Sequence, residues 1–160
     1  MDVNDYLIEQ TGKDWPELLS SWSPPLPESF EIWLVNRFGD VLAAFDDGSI
    51  HMLDVSTGEM TRIADDRDHF CTLIDLGNNA NDWLMIPLID RCVAAGMILR
   101  GNQCYGYKIP PMLDGACTVE NIEPTDLSVH YSLHADIYNQ VKDLPDGTKI
   151  RVVVATPPSN

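Results

Sequence analysis

The sequence predicts an α+β fold, in which an antiparallel β-meander carries helices packed on it, as a single domain over residues 1–160. Short apolar or alternating runs between residues 31 and 64 are separated by glycine-containing turns, which is typical of consecutive strands. From residue 65 the apolar residues recur every three or four positions, which is typical of helices. A chain of 160 residues is long enough to bury its own core without disulfide or metal staples.

The N-terminal part, residues 1–27, is expected to contain two short helices and a proline-rich connector. The first surrounds Tyr6 and stops at Gly12. The second begins near Asp14 and presents a stripe of large apolar residues to the core, namely Trp15, Leu18, Leu19 and Trp22. Pro24, Pro25 and Pro27 then form a stiff connector.

Residues 31–64 should form the meander. The expected strands are Glu31–Asn36, Val41–Phe45, Ser49–Val55 and Met60–Ala64. Parallel neighbours would need crossovers of about a dozen residues, so the short turns between these runs indicate antiparallel pairing. In the third run Ile50 and Met52 share a face with Asp54, and neither face is purely apolar. This mixture predicts a central strand that is partly covered on both sides.

Residues 65–97 are expected to form two helices. Asp65, Asp66 and Asp68 suit the start of the first, because free N–H groups give a helix N-terminus a partial positive charge. Asp82 should cap the second, which runs to about Met97 with an early proline as its only interruption.

Residues 103–155 should form a strand, a helix and a closing strand. Tyr105 and Tyr107 alternate with smaller residues as in a strand, and Asp114-Gly115 supplies a turn. The helix begins near Asp126 and places Leu133, Ile137, Val141 and Leu144 on one apolar face. The apolar run within Lys149–Ala155 is the expected closing strand.

The charge balance limits the partners of this protein. Its 25 acids and 10 basic residues give a net charge of −15. Such a surface repels phosphate backbones, so we expect no nucleic-acid binding, and it attracts a basic protein partner. The sequence has neither an apolar run long enough to span a membrane nor the basic and apolar start of a secretory signal. We therefore expect a cytoplasmic protein without membrane contact.

The sequence offers little catalytic or metal-binding chemistry. The four cysteines are widely spaced, unlike zinc ligands, and are expected to be buried reduced thiols: Cys71, Cys92, Cys104 and Cys117. His130 and His134 share a helix face but lack the adjacent glutamate of a zinc peptidase motif, so a partly exposed structural pair is expected. We predict no catalytic residues, no metal and no cofactor.

Several segments resemble a known family. They are Asn102–Lys108 (NQCYGYK), Ile109–Pro111 (IPP), Val119–Pro124 (VENIEP), the helix with His130 and His134, and Leu144–Thr148 (LPDGT). In this combination they are similar to the C-terminal domain of immunity proteins paired with type VI secretion DNase toxins. Leu113-Asp114-Gly115 departs from the Gly-Gly pair expected there, a mild change because aspartate also tolerates turn conformations. A weaker similarity extends upstream through residues 36–70.

The resemblance implies an immunity protein that binds a cognate toxin stoichiometrically, without catalysis, and the toxin is expected to be a basic nuclease. The candidate partner-binding residues are Asp46, Asp47, Asp65, Asp66, Asp68, Tyr105 and Tyr107. The acids belong to an acid-rich run, residues 40–68, that would face the toxin's basic surface. The tyrosines are either interface anchors or a sheet face packed under a helix. The sequence leaves open whether the toxin's cleft is occluded or a neighbouring mobile region is clamped, and it does not indicate an oligomeric state.

Two other functions are compatible with the residues. One is a small cytosolic hydrolase that uses Cys104 or Cys71 with a distant histidine. The other is a housekeeping interaction module of the same fold that has no toxin partner.

Overall fold

The structure, a computed structural model, describes residues 2–144. Its main sheet has four antiparallel strands in chain order, β1 (Phe30–Val35), β2 (Val41–Phe45), β3 (Ile50–Asp54) and β4 (Glu59–Ala64). The predicted meander is confirmed, and with it the α+β fold class. The turns work as expected, because Gly39, Gly48 and Gly58 each adopt a positive φ between neighbouring strands.

Apolar layers cover both faces of the main sheet. On one face Val41 and Leu53 pack with Trp22 and Tyr131, which come from the N-terminal segment and the C-terminal helix. On the other face Leu42, Ala44 and Ile50 pack with Phe70 from the first helix after the meander. The apolar residues on both faces of the central strands are thereby explained.

The N-terminal segment is less helical than its sequence predicts. Residues Val3–Tyr6 and Ser20–Trp22 form single turns of 3-10 helix, and only α1 (Trp15–Leu18) is α-helical. The Asp14 carboxylate accepts the Glu17 N–H and starts α1, as expected. Trp22 is fully buried and its indole N–H donates to the Tyr131 carbonyl at 3.1 Å. This bond fixes the segment to the C-terminal helix.

Three helices follow the meander where two were predicted. α2 (Arg67–Leu73) begins at Asp66, as expected, while the predicted helix over residues 82–97 is two helices, α3 (Asn79–Leu84) and α4 (Ile86–Ala94). Met85 separates them because its φ of 55° is left-handed, and the cap of α3 is Asn78 instead of Asp82. Pro87 lies in the first turn of α4, where its missing N–H removes no helical bond.

A second sheet pairs β5 (Gln103–Tyr107) with β6 (Ile122–Asp126) in antiparallel register. β5 is the predicted tyrosine strand, whereas β6 was not predicted. The Tyr105 N–H donates to the Arg37 carbonyl at 2.7 Å and thus joins β5 to the turn between β1 and β2. Asp114 adopts a φ of 65°, so it performs the turn for which a glycine pair was expected.

The C-terminal helix, α5 (Leu127–Val141), starts at Asp126, whose carboxylate accepts the N–H groups of Ser128 and Val129. Its buried residues differ from the predicted stripe. Of the predicted stripe only Ile137 is buried, since Leu133 and Val141 are half-buried and Leu144 is exposed. The residues that reach the core are Leu127, His130, Tyr131, His134, Ala135 and Ile137. The predicted closing strand Lys149–Ala155 and residues 145–148 of the last motif lie outside the described residues. The division into residues 1–27, 31–64, 65–97 and 103–155 therefore stays a prediction.

Candidate partner-binding surface

An acidic groove lies between the β2–β3 turn and the start of α2. We define it by its charged residues, Glu31 on β1, Asp46 in the turn, and Asp66, Arg67 and Asp68 at α2. Four acids thus surround one base in a single concave site. Because α2 packs over the sheet face that carries Ala44, the fold brings together acids as distant in the chain as Glu31 and Asp68. Such a site attracts a cationic group.

Arg67 is held inside this groove by two contacts. Its guanidinium donates to the Glu31 carboxylate at 2.7 Å, and it lies 4.6 Å from the ring centroid of Trp33. Both side chains of the ion pair are largely exposed, so water screens their attraction. The other acids of the groove are exposed, and two of them accept one hydrogen bond each: Asp66 from the His69 N–H at 2.7 Å and Asp46 from the Ser29 hydroxyl at 3.0 Å.

Asp47 and Asp65 lie beside the groove and have local partners. Asp47 accepts the Ser49 N–H at 2.9 Å, and its bonds to Ser49 lower the pKa of the carboxyl. Asp65 pairs with Arg62 at 3.1 Å. The structure therefore brings Asp46, Asp66 and Asp68 into one groove, with Asp47 and Asp65 at its margin.

Asp40, part of the predicted acid-rich run, is not a surface residue. It is 3% exposed and accepts the Asn36 amide at 3.0 Å and the Val55 N–H at 3.1 Å. Burial, together with the charge of Asp54, raises the pKa of Asp40 well above its usual value. Asp40 therefore builds the turn between β1 and β2 and is removed from the candidate surface.

Tyr105 and Tyr107 are core residues. They are 1% and 6% exposed, and both rings lie 5.5 Å from the ring of Phe38. The Tyr105 hydroxyl also donates to the Met97 carbonyl at 3.1 Å. This placement favours the packing interpretation of the pair over the anchor interpretation, and we leave both out of the candidate surface.

One polar cluster near the groove was not predicted. The Ser49 hydroxyl contacts the Asp47 carboxylate and lies 3.0 Å from His51 Nε2. Its single hydrogen goes to Asp47, so His51 must donate and does not act as the base of a nucleophilic serine. Ser49 is also 1% exposed, so a substrate would not reach it. The cluster stabilises the β2–β3 turn that presents Asp46.

The cysteines correct one prediction and weaken the hydrolase hypothesis. Cys92 and Cys104 are buried as expected, but Cys71 and Cys117 are exposed. Burial, with Asp40 and Asp126 nearby, raises the pKa of the Cys104 thiol far above its usual value, so no nucleophilic thiolate forms there. The nearest histidine to Cys71 in sequence, His69, accepts the Asp65 N–H through Nδ1 at 2.9 Å.

His130 and His134 are each 1% exposed, which corrects the prediction of a partly exposed pair. His130 Nε2 lies 2.9 Å from the Phe38 carbonyl, and His134 Nδ1 lies 2.9 Å from the His130 carbonyl. Within residues 2–144 no group of three or more His, Cys, Asp or Glu side chains is placed to hold a metal ion. Nor does that part of the chain contain a helix that is both long and apolar enough to cross a membrane.

Comparison with known proteins assigns a family to the segment that begins at the end of β4. Residues 64–138 match the family described as "T6SS immunity protein Tdi1, C-terminal". Over these residues the chain is similar to the Tdi1 immunity family. The match supports a role in type VI secretion immunity, and hence a cognate toxin as partner. It includes Asp66 and Asp68 of the acidic groove, while Asp46 lies outside it.

The other comparisons add no function. A solved structure, "Crystal structure of Atu4351 from Agrobacterium tumefaciens", aligns with a TM-score of 0.47 at 17% identity, covering 75% of this chain. This chain spans 60% of the length of that one. No curated protein matches.

Proposed function

We propose that this protein is a Tdi1-type immunity protein, that it neutralises a cognate type VI secretion toxin by stoichiometric binding in the cytoplasm, and that the toxin is a DNase. The family match over residues 64–138 carries the proposal. The net charge of −15 supports it, because an enzyme that binds DNA presents a basic surface to its inhibitor.

We further propose the acidic groove and its margin as the toxin-binding surface. Its acids are exposed, and they come from β1 and the β2–β3 turn of the main sheet and from α2, which packs on one face of that sheet. A rigid support lets the charges meet a partner without costly ordering on binding. Exposed charges at the edge of an interface chiefly accelerate association and add less to the final affinity.

The proposal also assigns no turnover to the chain itself. The Cys104 thiol is buried with a raised pKa, and the Ser49 hydroxyl is buried and bonded to the Asp47 carboxylate. Inhibition by binding needs no such groups.

Co-expression with the toxin encoded beside this chain tests the function. Cells that produce the toxin alone should lose viability and show degraded DNA, and cells that also produce this chain should keep both. Mixed in equal amounts, the two purified proteins should elute together and DNA cleavage should stop. Continued cell death at confirmed expression of this chain would contradict the immunity role, whereas protection against a toxin that leaves DNA intact would contradict only its nuclease part.

A further inference from the structure

Two buried imidazoles lie side by side on α5, and one of them connects the helix to the rest of the protein. His130 Nε2 reaches across to the Phe38 carbonyl in the turn between β1 and β2, at 2.9 Å. The neighbouring Tyr131 hydroxyl donates to the Gly39 carbonyl of the same turn at 2.7 Å. One turn later along the helix, the ring of His134 lies 4.3 Å from that of His130.

The hydrogen bonds fix the tautomer of each ring. A carbonyl only accepts, so His130 carries its proton on Nε2 and His134 carries its proton on Nδ1. The second nitrogen of His134, Nε2, is buried and has no hydrogen-bond partner among residues 2–144. A second proton on that ring would place an N–H, and a full charge, where the described residues offer no acceptor.

The packing leaves little room for the pair to adjust. A methyl group at Gly39 would lie 3.2 Å from the His130 ring, and one at Gly106 would lie 3.4 Å from its Nδ1. On the other side the Tyr107 ring meets His134 edge-on at 6.4 Å. The two imidazoles are therefore enclosed by the turn, by β5 and by each other.

We propose that His130 and His134 form an acid-sensitive latch, which holds α5 on the β1–β2 turn only while both imidazoles are neutral. Acid strong enough to charge the pair would then release α5 from the turn, because two adjacent imidazolium ions do not fit in this enclosure. The latch is a property of the fold and does not depend on the identity of the toxin.

The other ionisable groups around the pair do not neutralise this effect. They are Asp40 in the turn, Asp54 on β3, Cys104 and Tyr107 on β5, Tyr131 on α5, and Cys117. Asp54 and the carbonyl acceptors favour protonation of the pair, but burial outweighs them and lowers the pKa of both histidines, that of His130 to about 3. Asp40 has a raised pKa, so it gains a proton as the pH falls and provides no counter-charge.

The direction of the pH effect follows from proton uptake. Both histidines have a lower pKa in the folded protein than in the unfolded chain, so unfolding takes up protons below about pH 6.5. Their contribution to stability is complete above that pH and is lost as the pH falls. Asp40 has a raised pKa in the folded protein, so its contribution to stability grows as the pH falls. The contribution of the histidines is therefore isolated only by substituting the histidines themselves.

A double variant tests the latch. Glutamine at 130 keeps a donor at the Nε2 position and asparagine at 134 keeps one at Nδ1, so His130→Gln/His134→Asn preserves both bonds to the carbonyls without a titrating ring. Urea unfolding, followed by circular dichroism, gives the free energy of unfolding at each pH from about pH 7.5 to about pH 4.5. The slope of this free energy against pH gives the number of protons taken up on unfolding. The wild-type protein should take up more protons than the double variant near the acid end, up to about one for each histidine. Equal uptake would overturn the proposal, and His69→Gln, at an exposed histidine, should behave like wild type.

A measurement on the wild-type protein covers the case in which the double variant fails to fold. Nitrogen-15 NMR of the histidine rings in the folded protein at about pH 5 should show neutral His130 protonated at Nε2 and neutral His134 protonated at Nδ1. An unperturbed histidine would be almost fully charged at that pH. Two charged rings in a folded protein would overturn the proposal.

Discussion

Replacing Gly58 with alanine should destabilise the protein through a clash between the β3–β4 turn and α5. Gly58 has a φ of 81°, and an added Cβ would lie 2.2 Å from a ring carbon of Tyr138. That ring is stacked on buried Trp22 at a centroid distance of 5.6 Å, so it is not free to move aside. The positive φ costs about 1 kcal/mol, and the overpacking adds about 1–3 kcal/mol.

Gly48→Ala is the matched control for this change. Gly48 occupies the equivalent position of the β2–β3 turn with a φ of 87°, but an added Cβ there meets nothing within 4 Å. The control should therefore show only the conformational cost of about 1 kcal/mol, while Gly58→Ala should lose about 2–4 kcal/mol in all.

Urea denaturation of the two variants measures both losses. Placing Gly58→Ala in a Tyr138→Ala background should reduce its cost to that of the control, because the opposing ring is then absent. Equal destabilisation by Gly58→Ala and Gly48→Ala in the otherwise wild-type protein would refute the packing of α5 on this turn.

Two further predictions concern the helix cap and the thiols. Asp126→Ala removes the side chain that caps α5 and should cost about 1 kcal/mol of unfolding free energy, whereas Asp136→Ala, at an exposed position within the helix, should change it by less than about 0.5 kcal/mol. Equal losses would contradict the assigned helix start. A thiol reagent should modify only the exposed cysteines, Cys71 and Cys117, in the native protein, and should reach Cys92 and Cys104 only after denaturant is added. Rapid modification of all thiols in the native state would contradict the buried placement.

The main sheet was predictable because its signals are local. Apolar runs of strand length and glycine turns determine a meander without any information about distant residues. β6 was missed because Pro124 interrupts its alternation, and it pairs only with β5 in a two-stranded sheet. The break between α3 and α4 was missed because it depends on a left-handed Met85, and a methionine gives no sequence signal for that conformation.

The candidate site was predictable in composition but not in arrangement. Counting acids along the chain placed Asp40 with the surface residues, although its bonds to Asn36 and Val55 hold it in the core. The grouping of Asp46 with Asp66 and Asp68 depends on the packing of α2 over the sheet, a long-range contact. Likewise, buried His130 has its carbonyl acceptor, Phe38, in a turn that is distant in the chain, and periodicity does not reveal such a partner.

The most direct test of the proposed function compares two charge-reversed proteins with the same net charge. Asp46→Lys/Asp68→Lys reverses two charges of the acidic groove. Glu120→Lys/Asp136→Lys reverses two exposed acids outside it, Glu120 in the connection between β5 and β6 and Asp136 on α5. Stopped-flow mixing with the purified toxin at low salt should show association about tenfold slower for the groove variant, with a much smaller effect for the other. High salt should reduce this difference. Equal slowing by the two variants, or none by either, would contradict toxin recognition through the acidic groove.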